Sequence, residues 1–179
     1  DVASIGTTNR AYRGYDVAYE DNSGDALVVY EKNTTTDRRL FYRTLDASGI
    51  WSAESEFALP AAAAAEAQFF VTLEAQGGSD MILVASKGTT DNLTVSLWNG
   101  NTILNTTTLS PVTTNANEEA FGLAWESLSG LGVLAYGPVA GTVNFWRFNV
   151  TTGRWTNVVN TATVAAGQPQ QVHLCSDPN

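Results

Sequence analysis

The fold is decided by residues 15–51, which read YDVAYEDNSGDALVVYEKNTTTDRRLFYRTLDASGIW. This stretch contains three short runs in which apolar and polar residues alternate, and a fourth run follows it. Clusters of turn-forming residues separate the runs, at 22–24 (NSG), 33–37 (NTTTD) and 46–49 (DASG). Alternation with a period of two is typical of β-strands with one buried face, and Gly, Asn, Asp and Ser favour tight turns. The stretch therefore predicts a meander of short antiparallel strands.

The same pattern recurs later in the chain. Residues 15–31 (YDVAYEDNSGDALVVYE) align without gaps with residues 121–137 (FGLAWESLSGLGVLAYG). Farther along, the FYR of residues 41–43 aligns with the FWR of residues 145–147, so the period is about 104 residues. A weaker copy lies halfway, where residues 79–85 (SDMILVA) match residues 24–30 (GDALVVY). The basic unit is therefore about 50 residues long, and two subtypes alternate.

The repeat predicts one continuous domain of 179 residues rather than two domains. Three full units cover approximately residues 11–60, 65–111 and 117–163, and partial units lie at 1–10 and 168–179. Residues 1–10 match the last strand of a unit, and residues 172–174 (VHL) resemble residues 71–73 (VTL), the first strand of the second subtype. Strands are predicted near 15–20, 26–32, 39–45, 51–58, 68–75, 81–86, 93–98, 101–109, 120–126, 131–136, 142–149 and 155–160, with the alanine-rich 61–67 as a linker or a single helical turn.

Units of this length with four short strands each are typical of β-propeller blades. The strands follow one another too closely for crossover helices, which excludes a parallel α/β sheet. We therefore predict an all-β fold, a β-propeller-like array of four-stranded antiparallel meanders, with a β-sandwich as the alternative. A closed propeller needs at least about four blades. With three full units, the chain is therefore predicted to be a piece of a longer array, to pair its end strands with other copies, or to fold as a sandwich or an irregular barrel.

Two turns add a family resemblance to this pattern. Residues 44–51 (TLDASGIW) resemble the Asp-box hairpin of sialidase-type propellers, with one residue fewer than usual between Gly49 and Trp51. The second copy, residues 149–155 (NVTTGRW), keeps Gly153 and Trp155 but lacks the Asp. In that family the box is structural, which implies that Asp46 binds turn amides and that both tryptophans are largely buried between strands. The repeats also resemble those of bacterial and archaeal surface proteins, and the resemblance implies a fold rather than catalysis.

Composition excludes several classes of function. The formal net charge is −9 with 15% charged residues, and the only lysines are Lys32 and Lys87. Binding of nucleic acid or of an anionic membrane surface needs a clustered basic face, so neither partner is expected. No apolar run is long enough to span a membrane. The acidic balance is read as a contribution to solubility.

The single histidine and the single cysteine predict neither a metal site nor a cofactor. His173 and Cys175 together fall short of the three or four ligands that a metal site needs. We interpret His173 as an ordinary strand residue, and Cys175 as a small hydrophobic residue buried in the same strand rather than one paired with another chain.

Carboxylates offer two further candidates. Glu20 and Glu126 recur at equivalent positions after an aromatic residue, and a carboxylate pair can hydrolyse glycosides. Recurrence with the repeat favours a turn role instead. Asp21, Asp25 and Asp80 could bind Ca²⁺ weakly, but they lack the spacing of a calcium loop, which favours solvated turns. The arginine triad, the Tyr–Glu pair and the acid Asp of sialidases cannot be assigned here, so we predict that the chain is not an enzyme.

Aromatic residues with polar tips can stack on sugars, but packing between repeats is the favoured interpretation because most of them recur with the repeat. The aromatic residues considered are Tyr19, Tyr30, Tyr42, Trp98, Trp125, Trp146 and Trp155.

Four N-x-S/T sequons, together with an initial Asp in place of Met, predict a processed, exported protein. The candidate glycosylation sites are Asn33, Asn92, Asn105 and Asn149. We therefore predict an extracellular or cell-surface protein with a non-enzymatic structural or adhesive role. Residues 1–9 or 168–179 would pair as edge strands with another copy or another protein chain, building a multimer or filament. The alternative function is a carbohydrate-binding propeller module or a sialidase-like glycosidase fragment, with glycans as partners.

Overall fold

The computed structural model describes residues 13–32, 39–64, 66–90, 92–109, 118–138, 141–164, 167 and 169–176. Within them lie twelve strands and one short helix. Their bounds are β1 Tyr15–Tyr19, β2 Ala26–Glu31, β3 Leu40–Leu45, β4 Ser55–Phe57, α1 Ala61–Ala64, β5 Gln68–Ala75, β6 Ile82–Gly88, β7 Leu93–Trp98, β8 Ile103–Leu109, β9 Phe121–Trp125, β10 Gly132–Tyr136, β11 Thr142–Asn149 and β12 Arg154–Thr163.

The strands form three separate antiparallel meanders of four strands each, in the orders β1-β2-β3-β4, β5-β6-β7-β8 and β9-β10-β11-β12. We call them the first, second and third sheets. The predicted all-β fold with twelve strands in four-stranded meanders is therefore confirmed, and the alanine-rich stretch is a single helical turn. No helix in the described part of the chain is long and apolar enough to cross a membrane.

The three sheets stack face to face, with their first strands β1, β5 and β9 next to one another. The carbonyl of Arg13, just before β1, accepts a hydrogen bond from the amide of Val71 in β5 at 2.9 Å. The carboxylate of Asp16 accepts another from the amide of Leu73 at 2.8 Å. We call the side of a sheet that packs on the preceding sheet its leading face, and the opposite side its trailing face. In the first sheet, the trailing face is the one that packs on the second sheet, and the leading face is the other.

Residues 169–176 continue the same stacking beyond β9. The amide of Val172 donates to the carbonyl of Glu119, just before β9, at 3.3 Å, as Val71 donates to Arg13. Ser176 accepts from the amide of Trp125 at 3.0 Å. The structure therefore places this segment where the first strand of a fourth unit would stand, although its residues form no strand. Residues 1–10 of the other partial unit lie outside the described residues.

Two apolar cores lie between the sheets. One joins the trailing face of the first sheet to the leading face of the second, and includes Leu27, Val29, Ile82, Val84 and Trp98. The other joins the second sheet to the third, and includes Leu83, Val95, Phe121, Leu123, Trp125 and Phe148. Strands β6 and β7 are buried at every residue because neighbouring sheets cover both of their faces. These strands therefore lack the alternation of burial seen in β1.

One turn motif recurs at the end of each first strand. Serines at 23, 79 and 129 each donate to the side chain three residues earlier, which is Glu20, Gln76 or Glu126. Each of these serines also accepts a hydrogen bond from the backbone amide two residues later. Ser79 is thus equivalent to Ser23 and not to Gly24, so the predicted alignment of the second unit is wrong by one residue. A match of apolar letters alone cannot fix the register across a turn.

The predicted burial of Trp51 is wrong. Its side chain is 49% exposed, whereas that of Trp155 is 9% exposed. Trp51 pairs with Leu45 in an isolated bridge, and Trp155 pairs with Phe148 in the ladder of β11 and β12. The bridge of Trp51 lies before β4, and this strand is shorter than predicted. Both tryptophans lie on the leading face of their sheet. The second sheet covers that face of the third sheet, whereas no sheet formed by the described residues covers the face that carries Trp51.

The predicted burial of Cys175 is also wrong, because its side chain is exposed. Burial alternates along residues 171–176, with Val172, Leu174 and Ser176 partly buried and the residues between them exposed. The first set packs towards β9, which turns Cys175 to the opposite side.

Candidate functional site

A cavity of about 400 Å³ lies where the first strands of the three sheets meet the 169–176 segment. We call it the central cavity. Its walls carry apolar side chains together with convergent polar groups, as small-molecule sites do. The polar lining residues are Arg13, Asp16, Thr72, Glu74, Glu119, Gln171 and His173.

Arg13 ties the three sheets together at this cavity. Its guanidinium donates from Nη2 to Glu119 Oε1 at 2.5 Å and to Thr72 Oγ1 at 2.8 Å. The Thr72 hydroxyl in turn donates to Glu119 Oε1 at 3.1 Å. Asp16 lies 3.9 Å from Nη1 of the same guanidinium. A planar guanidinium with several fixed donors can hold carboxylates from different strands in one geometry.

Glu74 is a partly buried carboxyl group of the cavity. Burial raises its pKa, and the nearby charge of Asp16 acts in the same direction. The hydroxyl of Ser176, which donates to Glu74 Oε1 at 2.9 Å, and the neighbouring His173 act against this rise. A half-buried carboxyl with a raised pKa in a cleft is a candidate for binding or proton transfer.

We expect Glu74→Gln to stabilise the protein at neutral pH. A carboxyl whose pKa is higher in the folded state favours folding when protonated, so wild-type stability falls as pH rises from the ordinary pKa through the raised one. The side-chain amide of the glutamine in this variant is neutral at every pH and can still accept a hydrogen bond from the Ser176 hydroxyl. The difference in Tm between variant and wild type should be positive near pH 7 and shrink towards about pH 4.

Calorimetry across this pH range provides the measurement, and the exposed carboxyl of Glu126 provides the control through Glu126→Gln. An equal Tm difference at both ends of the range would contradict the raised pKa.

His173 lines the central cavity rather than being an ordinary strand residue, although its side chain is exposed. Cys175 follows two residues later on the same exposed side. Among the described residues no group of three His, Cys, Asp or Glu side chains is placed to hold a metal ion.

The Asp-box-like residues lie at the turns between third and fourth strands, away from the cavity. The carboxylate of Asp46 accepts from the amides of Ser48 and Ile50 at 2.9 and 2.8 Å, and from the Ser48 hydroxyl at 2.6 Å. The Ser48 hydroxyl is the main cause that lowers the pKa of Asp46. In the second copy Asn149 Oδ1 accepts from the amides of Thr151 and Thr152. Gly49 and Gly153 have φ angles of 85° and 64°, a conformation that favours glycine.

Glu20 and Glu126 do not come together as a catalytic pair. Each accepts from the serine three residues later, which is the turn role favoured by the repeat. Glu20 is 3% exposed and also accepts from Nε1 of Trp98 at 2.5 Å. Glu126 is exposed. The structure thus gives equivalent residues unequal surroundings.

The acidic turns connect the first and second sheets. Asp80 accepts from the amides of Asn22 and Ser23 at 3.1 and 2.9 Å. In return Asp21 accepts from the amide of Gly78 at 2.6 Å. Backbone amides therefore occupy carboxylate oxygens that would otherwise be available to a cation.

The candidate glycosylation sites differ in their surroundings. The amide nitrogen of Asn92 donates to Glu66 and to Thr90, whereas Asn105 is exposed with a φ of 54°. Asn149 is engaged in its turn as described above, and Asn33 lies outside the described residues. Glycosylation at these positions stays a prediction.

The candidate aromatic residues are mostly in the cores, and those in the described part of the chain form no exposed row at the cavity. Tyr42 packs edge-on against Trp98 at 5.5 Å between ring centroids, and Phe148 packs against Trp155 at 5.2 Å. Tyr19, at 64% exposed, departs from this pattern.

Sequence reasoning missed Arg13, Asp16, Thr72, Glu74 and Glu119. A usable signal existed, because Asp16 and Glu74 are each the single charged residue of their first strand. In β5, Thr72 and Glu74 alternate with Val71 and Leu73, so the polar set shares one face.

No protein-family model matches the chain, and a search of curated proteins finds no match either. Similar solved structures do exist. NanB sialidase from Streptococcus pneumoniae, in complex with a chlorobenzylammonio ethanesulfonate, matches with a TM-score of 0.55 and 13% identity over 78% of this chain and 22% of that one. NanB with Optactamide matches with a TM-score of 0.54 and 12% identity over 79% and 22%.

A third structure, a triple arginine-to-alanine mutant of AofleA from Arthrobotrys oligospora, has a TM-score of 0.48 and 16% identity over 87% of this chain and 43% of that one. The chain spans about a fifth of the length of the NanB chains. At these identities the NanB matches bear on fold alone, and they support a sialidase-like β fold. The resemblance to sialidase-type propellers is thereby confirmed for the fold, whereas the Asp-box assignment stays a prediction.

Proposed function

We propose that this chain is an exported, non-catalytic module that binds neutral glycans in the central cavity and serves adhesion at a cell surface. The observation that carries the proposal is the convergence of Arg13, Asp16, Thr72, Glu74 and Glu119 on one cleft in a sialidase-like fold. Carboxylates accept hydrogen bonds from sugar hydroxyls, and a guanidinium donates to them, in bonds strengthened by charge. The sequons support the exported location.

The charge of the cavity supports a neutral ligand over an anionic one. Three carboxyl groups, Asp16, Glu74 and Glu119, face one guanidinium. An anionic sugar such as a sialic acid would meet like charge there, and unfavourable charge pairs reject a ligand effectively. The resemblance to sialidases would call for an arginine triad, and Arg13 is the one arginine among the residues described as lining this cavity.

Glycoside hydrolysis is a second candidate, favoured by one observation. Glu74 has a raised pKa, and the charge of the nearby Asp16 contributes to this rise. Retaining and inverting glycosidases both pair a protonated carboxyl with an ionised one. In this alternative Glu74 would be the acid and Asp16 its partner.

A glycan panel tests both candidates with the same variants. We expect wild type to bind neutral glycans, and Glu119→Gln and Glu74→Gln to weaken binding about tenfold or more. Glu126→Gln, which changes an exposed carboxyl outside the cavity, should bind as wild type does. Preference for sialylated glycans, or equal loss in the Glu126 control, would contradict the proposal. Cleavage of the bound glycan that disappears in Glu74→Gln would replace the binding function by the hydrolytic one.

A further inference from the structure

The first sheet exposes a stripe of apolar side chains that its repeat partner buries. On the leading face of the third sheet, Phe121, Leu123 and Trp125 are 1%, 2% and 3% exposed. The aligned residues of the first sheet, Tyr15, Val17 and Tyr19, are 50%, 48% and 64% exposed. Trp51 continues the stripe at 49%, against 9% for the equivalent Trp155.

The difference lies in what covers each face, because the residue types match. The trailing face of the second sheet packs on the leading face of the third, whereas no sheet formed by the described residues packs on the leading face of the first. Contiguous exposed apolar side chains of this size mark interaction surfaces in soluble proteins.

On the opposite side of the stack, the last element that the structure describes is the complementary one. Residues 171–176 stand beside β9 as β5 stands beside β1, so they correspond to the first strand of a second-type unit. Their inner side chains, Val172 and Leu174, are partly buried towards β9. Their outer side chains, Gln171, His173 and Cys175, are exposed. Within the chain, the corresponding outer side of β5 packs on the leading face of the third sheet.

We propose that copies of this chain associate head to tail, with the stripe of Tyr15, Val17 and Tyr19 in one copy packing on the outer side of residues 171–176 in the next. The contact repeats the one that the chain already makes between β5 and β9. Such a heterologous contact generates a ring if the rotation closes and a filament if it does not.

The internal contact also fixes the register of the proposed interface. Nε1 of Trp125 donates to the carbonyl of Glu74 at 2.8 Å. Trp125 corresponds to Tyr19 in the repeat, and Glu74 corresponds to Cys175 when residues 172–174 are aligned with residues 71–73. Tyr19 of one copy should therefore lie beside Cys175 of its neighbour.

Disulfide cross-linking tests this register, because Cys175 is the single native cysteine and its thiol is exposed. The variant Tyr19→Cys, oxidised with copper phenanthroline, should give a ladder of covalent multimers on a non-reducing gel. The double variant Tyr19→Cys with Cys175→Ser should lose the ladder. Leu128→Cys, at a position 91% exposed in the turn after β9, is the matched control and should not form one.

Three results of this experiment would overturn the proposal. Covalent dimers of wild type through Cys175 alone would show a back-to-back arrangement. An equal ladder in Leu128→Cys would show random collision. A fast-migrating monomer in Tyr19→Cys would show that the chain closes on itself.

Light scattering on the unmodified chain gives an independent measurement. Wild type should show masses that are multiples of 19.1 kDa and that rise with concentration. Val17→Asp should remain monomeric with an unchanged circular dichroism spectrum, and Leu128→Asp should assemble as wild type does. A wild type that stays monomeric at all concentrations, or a Val17→Asp variant that still assembles, would refute the head-to-tail contact.

Discussion

Replacing Trp155 with alanine is expected to lower the free energy of unfolding by about 3–5 kcal/mol, the usual loss for a large aromatic side chain in a core. Trp155 is 9% exposed, and its ring lies 5.2 Å from that of Phe148 in the core between the second and third sheets. Truncation there would leave a cavity that the strands cannot fill without moving. Urea denaturation, followed by intrinsic fluorescence, gives the free energy directly.

The matched control is Trp51→Ala, which removes the repeat-equivalent ring from a half-exposed position. Its expected cost is about 1 kcal/mol or less, as for most surface substitutions. Trp155→Phe should cost less than Trp155→Ala because it keeps an aromatic ring in the core. Both changes remove an indole N–H that has no hydrogen-bond partner among the described residues. Equal losses for Trp51→Ala and Trp155→Ala would show that the ring of Trp51 is as buried in solution as that of Trp155.

Replacing Glu20 with alanine is expected to cost about 2–4 kcal/mol, because it leaves a buried N–H without an acceptor and breaks a bond to a charged group. Glu20 is 3% exposed and accepts from Trp98 Nε1 and from the hydroxyl of Ser23, each at 2.5 Å. Through Trp98 it fastens the turn of the first sheet to the second sheet. The measurement is again the free energy of unfolding in urea.

Glu126→Ala is the repeat-matched control for this change. Its carboxylate accepts from Ser129 in the same turn but is exposed, so a loss of about 1 kcal/mol or less is expected. Glu20→Gln, which keeps an acceptor for Trp98, should fall between the two. If the Glu20 and Glu126 variants lost the same stability, the bond to Trp98 would contribute nothing.

The sheets were predictable from the sequence because their signals are local. Alternation in residues 15–45 and the turn residues between the runs fix the strands within each meander. The ends of strands were less predictable: β4 covers three residues rather than the eight expected, because Trp51 bridges back to Leu45 before the ladder begins.

The central cavity could not be predicted in the same way. Arg13, Thr72 and Glu119 belong to three different units, and only the stacking of β1, β5 and β9 brings their side chains within hydrogen-bond distance. A search for recurring residues also misses them, since a functional residue need not recur in every unit. The position of Asp16 in the first unit is held by Gly122 in the third, where the backbone of residues 172–174 approaches closely.

Burial differences between equivalent residues depend on neighbours along the stack. Tyr19 and Trp125 occupy the same repeat position, and so do Glu20 and Glu126. Sequence alignment predicts the same environment for both members of a pair. Their environments differ because the two sheets that carry them have different neighbours in the stack. A periodic sequence therefore predicts the unit better than it predicts the ends of the array.

The second sheet, flanked on both faces, has a consequence for cooperativity. In a stack where each unit contacts only its neighbours, stability is the sum of a term for each unit and a term for each interface. The second sheet takes part in both apolar interfaces, and the first and third sheets take part in one each. Local unfolding of the second sheet therefore disrupts both interfaces, whereas the first or the third sheet can unfold while the opposite interface stays intact. Amides of β6 and β7 belong to the unit that opens last, and those of the first sheet belong to one that can open alone.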